Sequence, residues 1–243
     1  LERPMSEFLY EYWANLVDPF FNPKKRIFIG YLFSAVFIGV IVQYLFLRSN
    51  LRRSLASIFS RKVWLSPSAL ADYKILLINQ VLLMGLAPRL ISKLAVATLL
   101  FEILHVWLDG RVLLVPNAPD WAISGFFTLT LFLMDDGTKY LVHRALHRWP
   151  VLWAFHKVHH SAETLTPFTV YRTHPIEALI FSLRAVFVQA IALGTFLFFF
   201  GAKAELLTVL GANIILFIFN ALGSNLRHSH IWITYGPVIE RFL

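Results

Sequence analysis

Residues 27–47 read IFIGYLFSAVFIGVIVQYLFL, a run that contains no charged side chain. A helix that crosses the hydrocarbon core of a bilayer needs about 20 consecutive apolar residues, and this run meets that length. Basic residues border it on both sides, with the triplet 24–26 before it and Arg48, Arg52 and Arg53 after it. Lys and Arg at the ends of an apolar run are typical of membrane flanks. The run therefore predicts a transmembrane helix.

The composition of the whole chain extends this membrane character. Of 243 residues, 58% are hydrophobic and only 15% are charged, which is more apolar material than one soluble domain would bury. There is no cysteine, so disulfides, iron–sulfur clusters and thiolate-bound metals are excluded. The net charge of +8 is spread over the ends of apolar runs rather than gathered into a patch for nucleic acid. Any metal must therefore be held by His, Asp, Glu or Asn.

A long apolar stretch, residues 75–108, is broken at Pro88 and Arg89. It predicts either one tilted span with an interfacial piece or a tight hairpin of two spans, and we favour the single span. The aromatic-rich residues 1–22 precede all of these runs and predict an interfacial helix rather than a signal peptide.

Three later stretches are also long enough to cross a bilayer: residues 121–141, 178–200 and 204–222. The connection between the last two is so short that they are expected to form an antiparallel helical pair. The expected fold class is all-α, a multi-span helical membrane protein with about four to five transmembrane helices.

Five of the nine histidines lie close together, as His143-Arg-Ala-Leu-His147 and then His156-Lys-Val-His159-His160. Imidazole is a preferred ligand of iron, zinc and copper. On a helix, residues four apart share a face, and the second group repeats this arrangement with spacings of three and four. The pattern predicts a metal site with room for more than one ion.

The predicted topology brings His228 and His230 to the same membrane face as these two groups. The opposite connections carry only Arg111 and Lys203 as cations. Since Lys and Arg are enriched in cytoplasmic loops, we expect a cytoplasmic, histidine-rich helical cap. The basic residues expected on this face are Arg144, Arg148, Lys157, Arg172 and Arg227.

Four polar elements carry a resemblance to a known family. They are Asp136-x3-Tyr140-x2-His143-Arg144-x2-His147, His156-x2-His159-His160, Arg172-x-His174-Pro175-x-Glu177 and Asn225-x2-His228-x-His230. In order, spacing and placement between apolar runs, they resemble the histidine boxes of the fatty acid hydroxylase and sterol desaturase superfamily of membrane di-iron enzymes. The resemblance covers roughly residue 121 to the C-terminus. It implies a cytoplasm-facing centre of two irons that uses O2 to hydroxylate or desaturate an unactivated lipid C–H bond, of sterol or fatty acyl type.

The resemblance also implies a ligand set. His174 is either a further ligand or the cap of the helix that Pro175 begins, and both roles stay open here. The metal ligands that the resemblance implies are His143, His147, His156, His159, His160, His228 and His230.

Two residues without imidazole are also candidates for the catalytic centre. Asp136 is expected to accept an imidazole N–H and so fix the tautomer of a ligand, the alternative being an ion pair with Lys139 or Arg144. Asn225 is expected to be an outer or water-mediated ligand, the alternative being a turn residue before His228.

The chain departs from the family pattern at its end. A final H-x2-H-H element is expected after His228, but the sequence stops at Leu243 without one, and it begins with Leu1. We therefore expect a fragment with N-terminal interfacial and transmembrane helices over 1–120 and an incomplete histidine-box domain over 121–243. Incomplete metal loading and no turnover are expected of this polypeptide alone.

No G-x-G-x-x-G or P-loop sequence occurs, so electrons are expected from a separate donor of the cytochrome b5 or ferredoxin type. The basic cap would attract an acidic donor surface. The other expected partners are O2 and a membrane lipid, with no nucleic acid. The expected location is the bacterial inner membrane or the endoplasmic reticulum.

Two other classes of function stay open. A non-catalytic metal-binding or metal-transport protein would carry ligands along its spans, and these spans are nearly free of them. A bis-histidine haem protein needs paired histidines at matching depth inside helices, whereas these clusters lie at helix ends. Within the apolar spans, Arg184 is expected to pair with Glu177, and His105 is expected to be structural.

Overall fold

The computed structural model describes residues 4–86, 92–203, 205–210 and 212–222. These residues are helical apart from turns and one two-residue antiparallel pairing, in which β1 (Thr208–Val209) lies beside β2 (Ala212–Asn213). The all-α class is therefore confirmed. The helices are α1 Met5–Phe21, α2 Ile29–Leu47, α3 Leu51–Ile58, α4 Arg61–Trp64, α5 Pro67–Leu86, α6 Lys93–Trp107, α7 Asp120–Arg148, α8 Pro150–His156, α9 Pro175–Phe200 and α10 Ile214–Ala221.

The chain divides into two compact units. The first contains the described residues up to 80, the segment 158–172 and residues 218–222. The second contains the described residues of the ranges 81–157 and 173–217. The histidine-rich sequence is divided between them, because the boundary falls after Lys157.

Within the part of the chain that the structure describes, two helices are long and apolar enough to cross a membrane, α2 in the first unit and α9 in the second. On α2, the large side chains of Phe33, Phe37 and Tyr44 are all more than 60% exposed, although apolar side chains of this size are usually buried in soluble proteins. These helices match the predicted spans 27–47 and 178–200. The total of four to five spans stays a prediction.

The apolar stretch 75–108 contains two helices rather than one. Helix α5 ends at Leu86, and α6 begins at Lys93 after Ser92, whose hydroxyl accepts a hydrogen bond from the backbone N–H of Ala95 at 3.3 Å. A serine cap of this kind satisfies an amide group that the first helical turn leaves open. The helical path is interrupted there, and the number of membrane crossings it makes stays a prediction.

The predicted helix over residues 204–222 is wrong in its first half. Helix α10 begins only at Ile214, because Asn213 caps it by accepting from the backbone N–H of Ile215 at 2.9 Å. Thr128 holds the preceding extended segment, since its hydroxyl accepts from Leu207 N–H at 2.8 Å and its carbonyl accepts from the Asn213 amide at 3.2 Å. Side-chain hydrogen bonds to backbone therefore replace the helix that hydropathy predicted.

Helix α9 packs against α6 and α7 within the second unit. Phe127 of α7 and Ala192 and Phe196 of α9 form a buried cluster. The contact with α6 is close at Gly194, where a Cβ atom would lie 2.8 Å from the carbonyl oxygen of Ala97. This packing places the first turn of α9 near the last turns of α7 and near α8, the elements that carry the histidines of the second unit.

Candidate metal centre

The first histidine pair lies on the last turns of α7. His143 and His147 share one helix face, as their spacing predicted, and their Nε2 atoms are 3.1 Å apart. One ring must donate a proton in this contact and the other must accept it. Both side chains are exposed, so a metal ion that replaced the shared proton would reach them without rearrangement of the core.

A third imidazole joins the pair from α8. His156 is the last residue of this short helix, and only 1% of its surface is exposed. Its ring centroid lies 4.7 Å from that of His143 and 4.8 Å from that of His147. The ligand nitrogens of these three histidines lie within 4.8 Å of one another. We call His143, His147 and His156 the three-histidine cluster.

A buried carboxylate orients the third ring. Glu177, in the first turn of α9, is 2% exposed, and its Oε1 atom accepts a hydrogen bond from Nδ1 of His156 at 3.0 Å. With the proton on Nδ1, the imidazole lone pair is on Nε2. A carboxylate that binds the second nitrogen of an imidazole is the usual outer partner of a metal-bound histidine. The pair therefore favours a ligand role for His156.

Sequence reasoning assigned this orienting role to Asp136, which is exposed on α7. It also predicted that Glu177 pairs with Arg184, and this prediction is wrong. Arg184 binds Asp135 instead, with Nη2 of the arginine 2.9 Å from Oδ1 of the carboxylate. The pairing was wrong because spacing along the chain could not show which residues of α7 and α8 lie near α9 once the helices pack, and the role of Asp136 stays a prediction. The signal available was an acidic residue at position 177 beside a long apolar run.

His174 has the capping role that the sequence left open. It is the N-cap residue of α9, and its Nδ1 atom accepts from the backbone N–H of Ile176 at 3.2 Å. The ring packs on Phe155, with centroids 4.8 Å apart. A neutral imidazole that accepts at Nδ1 carries its proton on Nε2, so this arrangement leaves no lone pair for a metal.

His159 and His160 belong to the first compact unit. Helix α8 ends at His156, and the two residues lie in a 3-10 turn, so the expectation of one helix face for all three is wrong. Nδ1 of His159 is 3.2 Å from the carbonyl oxygen of Arg172 and donates a hydrogen bond to it. Burial lowers the pKa of His159 below its ordinary value and so favours the neutral ring, the state that binds metals.

The predicted basic face needs one correction. Arg172 is only 4% exposed and forms a buried ion pair with Asp72 of α5, so it is not part of a surface. Arg144, Arg148 and Lys157 are exposed, as predicted. Sequence reasoning missed Asp72, although a lone acid at the start of the apolar helix α5 was visible.

Three residues of the predicted centre lie outside the described residues, as does one residue of the basic face. They are Asn225, His228 and His230, and Arg227.

The ligand atoms of the three-histidine cluster suit iron, and they suit several other metals as well. The cluster offers three imidazole nitrogens, and the chain has no thiolate. Imidazole suits iron, zinc, copper and nickel, and the buried carboxylate on His156 fixes the ligand tautomer for any of them. The described residues thus form a site that could hold a metal, next to apolar helices.

The fold and the site define a class, that of helical membrane proteins with a histidine cluster suited to a metal ion. The sequence model of the family described as "Fatty acid hydroxylase" matches residues 128–243, which include every histidine discussed here except His105. The match supports the resemblance of this part of the chain to the fatty acid hydroxylase/sterol desaturase superfamily. Comparisons with curated proteins and with solved structures found no match.

Proposed function

We propose that the protein is an O2-dependent di-iron oxidoreductase that hydroxylates or desaturates a C–H bond of a membrane lipid, of sterol or fatty acyl type. The observation that carries the proposal is the three-histidine cluster with the buried Glu177 behind it, inside a fatty acid hydroxylase domain. A buried carboxylate that orients an imidazole is expected of a metal ligand and is not needed by a solvated histidine.

The proposed ligands extend beyond the cluster. His174 is left out because it caps α9. When bound, the two irons would supply the redox chemistry with O2 that zinc, which has no redox chemistry, cannot supply. The proposed ligand set is His143, His147, His156, His159, His160, His228 and His230, with Asn225 as an outer ligand.

The electron balance requires a reductant in either reaction. Hydroxylation converts C–H, O2, two electrons and two protons into C–OH and one water. Desaturation takes two hydrogens from adjacent carbons and, with the same two electrons and two protons, reduces O2 to two waters. Because the chain has no nucleotide-binding motif, the electrons are proposed to come from a cytochrome b5-like or ferredoxin-like donor.

The residues of the chain have separate tasks in this proposal. Glu177 holds the proton of His156 on Nδ1, and the apolar surfaces of α2 and α9 face the lipid that supplies the substrate. The exposed Arg144, Arg148 and Lys157 are proposed to attract the acidic surface of the donor. We also propose that the centre lies on the cytoplasmic side of a bacterial inner membrane or the endoplasmic reticulum. Turnover that does not weaken with rising salt would contradict this donor contact.

Metal analysis of the purified full-length protein tests the proposal. About two irons per chain are expected in the native protein, and a His143→Ala, His147→Ala variant should lose iron. His105→Ala is the matched control, because His105 is an exposed histidine on α6 that stacks on Phe101 and should not change the iron content. Iron-loaded protein given a reductant and O2 should then convert extracted membrane lipids to hydroxylated or unsaturated products. Stoichiometric zinc without iron, or no metal at all, would overturn the proposal.

A further inference from the structure

A network of buried polar groups lies in the first compact unit. Asp72 on α5 is fully buried, and each of its carboxylate oxygens accepts a hydrogen bond. Oδ2 accepts from the hydroxyl of Thr169 at 2.7 Å, and Oδ1 accepts from Nε of Arg172. Asp72 lies outside the matched residues 128–243, whereas Thr169 and Arg172 lie inside them. The carboxylate thus ties the segment 158–172 to α5.

The guanidinium of Arg172 is held by further acceptors. Nη2 donates to the carbonyl of Ser68 at 2.6 Å, and Nη1 donates to the hydroxyl of Ser161 at 3.2 Å. The backbone is fixed as well, because the N–H of Arg172 donates to the carbonyl of Thr169 at 3.0 Å. A guanidinium held through three nitrogens leaves its own residue little freedom to move.

The fixed residue contacts a histidine of the proposed metal centre. The carbonyl oxygen of Arg172 is 3.2 Å from Nδ1 of His159 and accepts a hydrogen bond from it. This contact selects the tautomer with the lone pair on Nε2, the nitrogen that can bind a metal. The His159 ring stands perpendicular to the ring of His160, with centroids 5.4 Å apart. The direction of Nε2 therefore depends on where the Arg172 carbonyl is held.

We propose that Asp72 is a positioning residue for His159, acting through Arg172, whose carbonyl keeps the imidazole in the Nδ1–H tautomer with Nε2 as the ligand atom. The inference rests on the proposed metal-binding function. A carboxylate needed only for stability would not have to hold an arginine whose carbonyl orients a histidine. Asp72 lies outside the matched residues 128–243, so a residue outside the hydroxylase domain helps to orient a proposed metal ligand inside it.

An Asp72→Asn variant of the full-length protein tests this inference. The amide keeps the size of the side chain but removes the charge opposite Arg172. We expect cobalt(II), used as the metal probe, to bind about 10- to 100-fold more weakly at the site that is lost in a His159→Gln variant. Nitrogen-15 spectra of labelled histidine in the metal-free protein should also show that the His159 signal moves from a pure Nδ1–H pattern to a mixture of tautomers.

Two further variants separate positioning from stability. Asp72→Asn with Arg172→Gln leaves no unpaired buried charge, and it should fold well yet keep the weak cobalt binding. Asp135→Asn also removes the carboxylate partner of an arginine, Arg184. The described hydrogen bonds of Arg184 go to Asp135 and Thr138 and not to a histidine, so cobalt binding should stay unchanged. All variants are compared at equal helix content by circular dichroism.

The outcomes distinguish the two proposals. If the native protein binds cobalt through its histidines and the folded Asp72 variants bind it equally well with an unchanged His159 spectrum, the positioning role is overturned and the proposed function stands. If the native protein binds no metal through its histidines, the proposed function is overturned, and the positioning role goes with it.

Discussion

Replacing Glu177 with Gln should weaken metal binding at the three-histidine cluster by about tenfold. The amide oxygen of Gln can still accept a hydrogen bond from Nδ1 of His156, but the acceptor is then a neutral amide instead of a charged carboxylate. A hydrogen bond to a charged group contributes about 1.5–3 kcal/mol, against about 0.5–1.5 kcal/mol between neutral groups. The difference of roughly 1.4 kcal/mol corresponds to about one factor of ten in affinity. Glu177→Ala should cost up to about a hundredfold, because the buried Nδ1–H of His156 would then have no acceptor.

The assay is a competition titration of cobalt(II) against a chelator, performed on purified protein at pH 8. Asp136→Asn is the matched control, since it makes the same chemical change at an exposed carboxylate of α7, one helical stretch before His143. It should leave the affinity unchanged. A loss of affinity in Asp136→Asn together with native affinity in Glu177→Gln would refute the reasoning and restore the role that the sequence assigned to Asp136.

Three further predictions concern stability and the cap of α9. Gly194→Ala should lower the thermal unfolding midpoint, because its Cβ would lie 2.8 Å from a backbone oxygen of α6, whereas Gly137→Ala, with nothing within 4 Å, should raise it slightly through better helix propensity. His174→Ala should lower the free energy of unfolding in denaturant by about 1 kcal/mol through loss of the cap, and His174→Asn should restore that stability. The metal content should be unchanged in both variants, and a loss of metal would make His174 a ligand. Arg184→Met should cost about 1–3 kcal/mol, because it leaves Asp135 without its partner on α9, and native stability would show that the pair is not needed.

Local patterns in the sequence predicted what depends on local geometry. The spacing of His143 and His147 placed both on one face of α7, and the charge-free run at 27–47 predicted α2, because helix periodicity and apolar length act within one element. The family resemblance rested on the same local spacing. These features need no knowledge of how helices pack.

Contacts between distant residues could not be predicted in this way. Glu177 reaches His156 across 21 positions, and Asp72 reaches Arg172 across 100 positions, so only the packed chain reveals either pair. Hydropathy also failed before Ile214, because apolar residues alone do not show that Thr128 binds the backbone there. In each case a polar side chain that sequence reasoning left unassigned, or assigned to another partner, decided the local structure.

The length of α9 affects where Glu177, the buried acid in its first turn, would lie relative to a bilayer. At about 1.5 Å per residue, its 26 residues span about 39 Å, whereas the hydrocarbon core of a bilayer is about 30 Å thick. If α9 crosses the bilayer with the excess of roughly 9 Å at its N-terminal end, about 1.7 turns would lie outside the core and Glu177 would lie level with the lipid headgroups. The remaining apolar residues are still enough to cross the core. A thicker bilayer would draw this turn toward the hydrocarbon, so lipid thickness becomes a variable that acts on the histidine cluster.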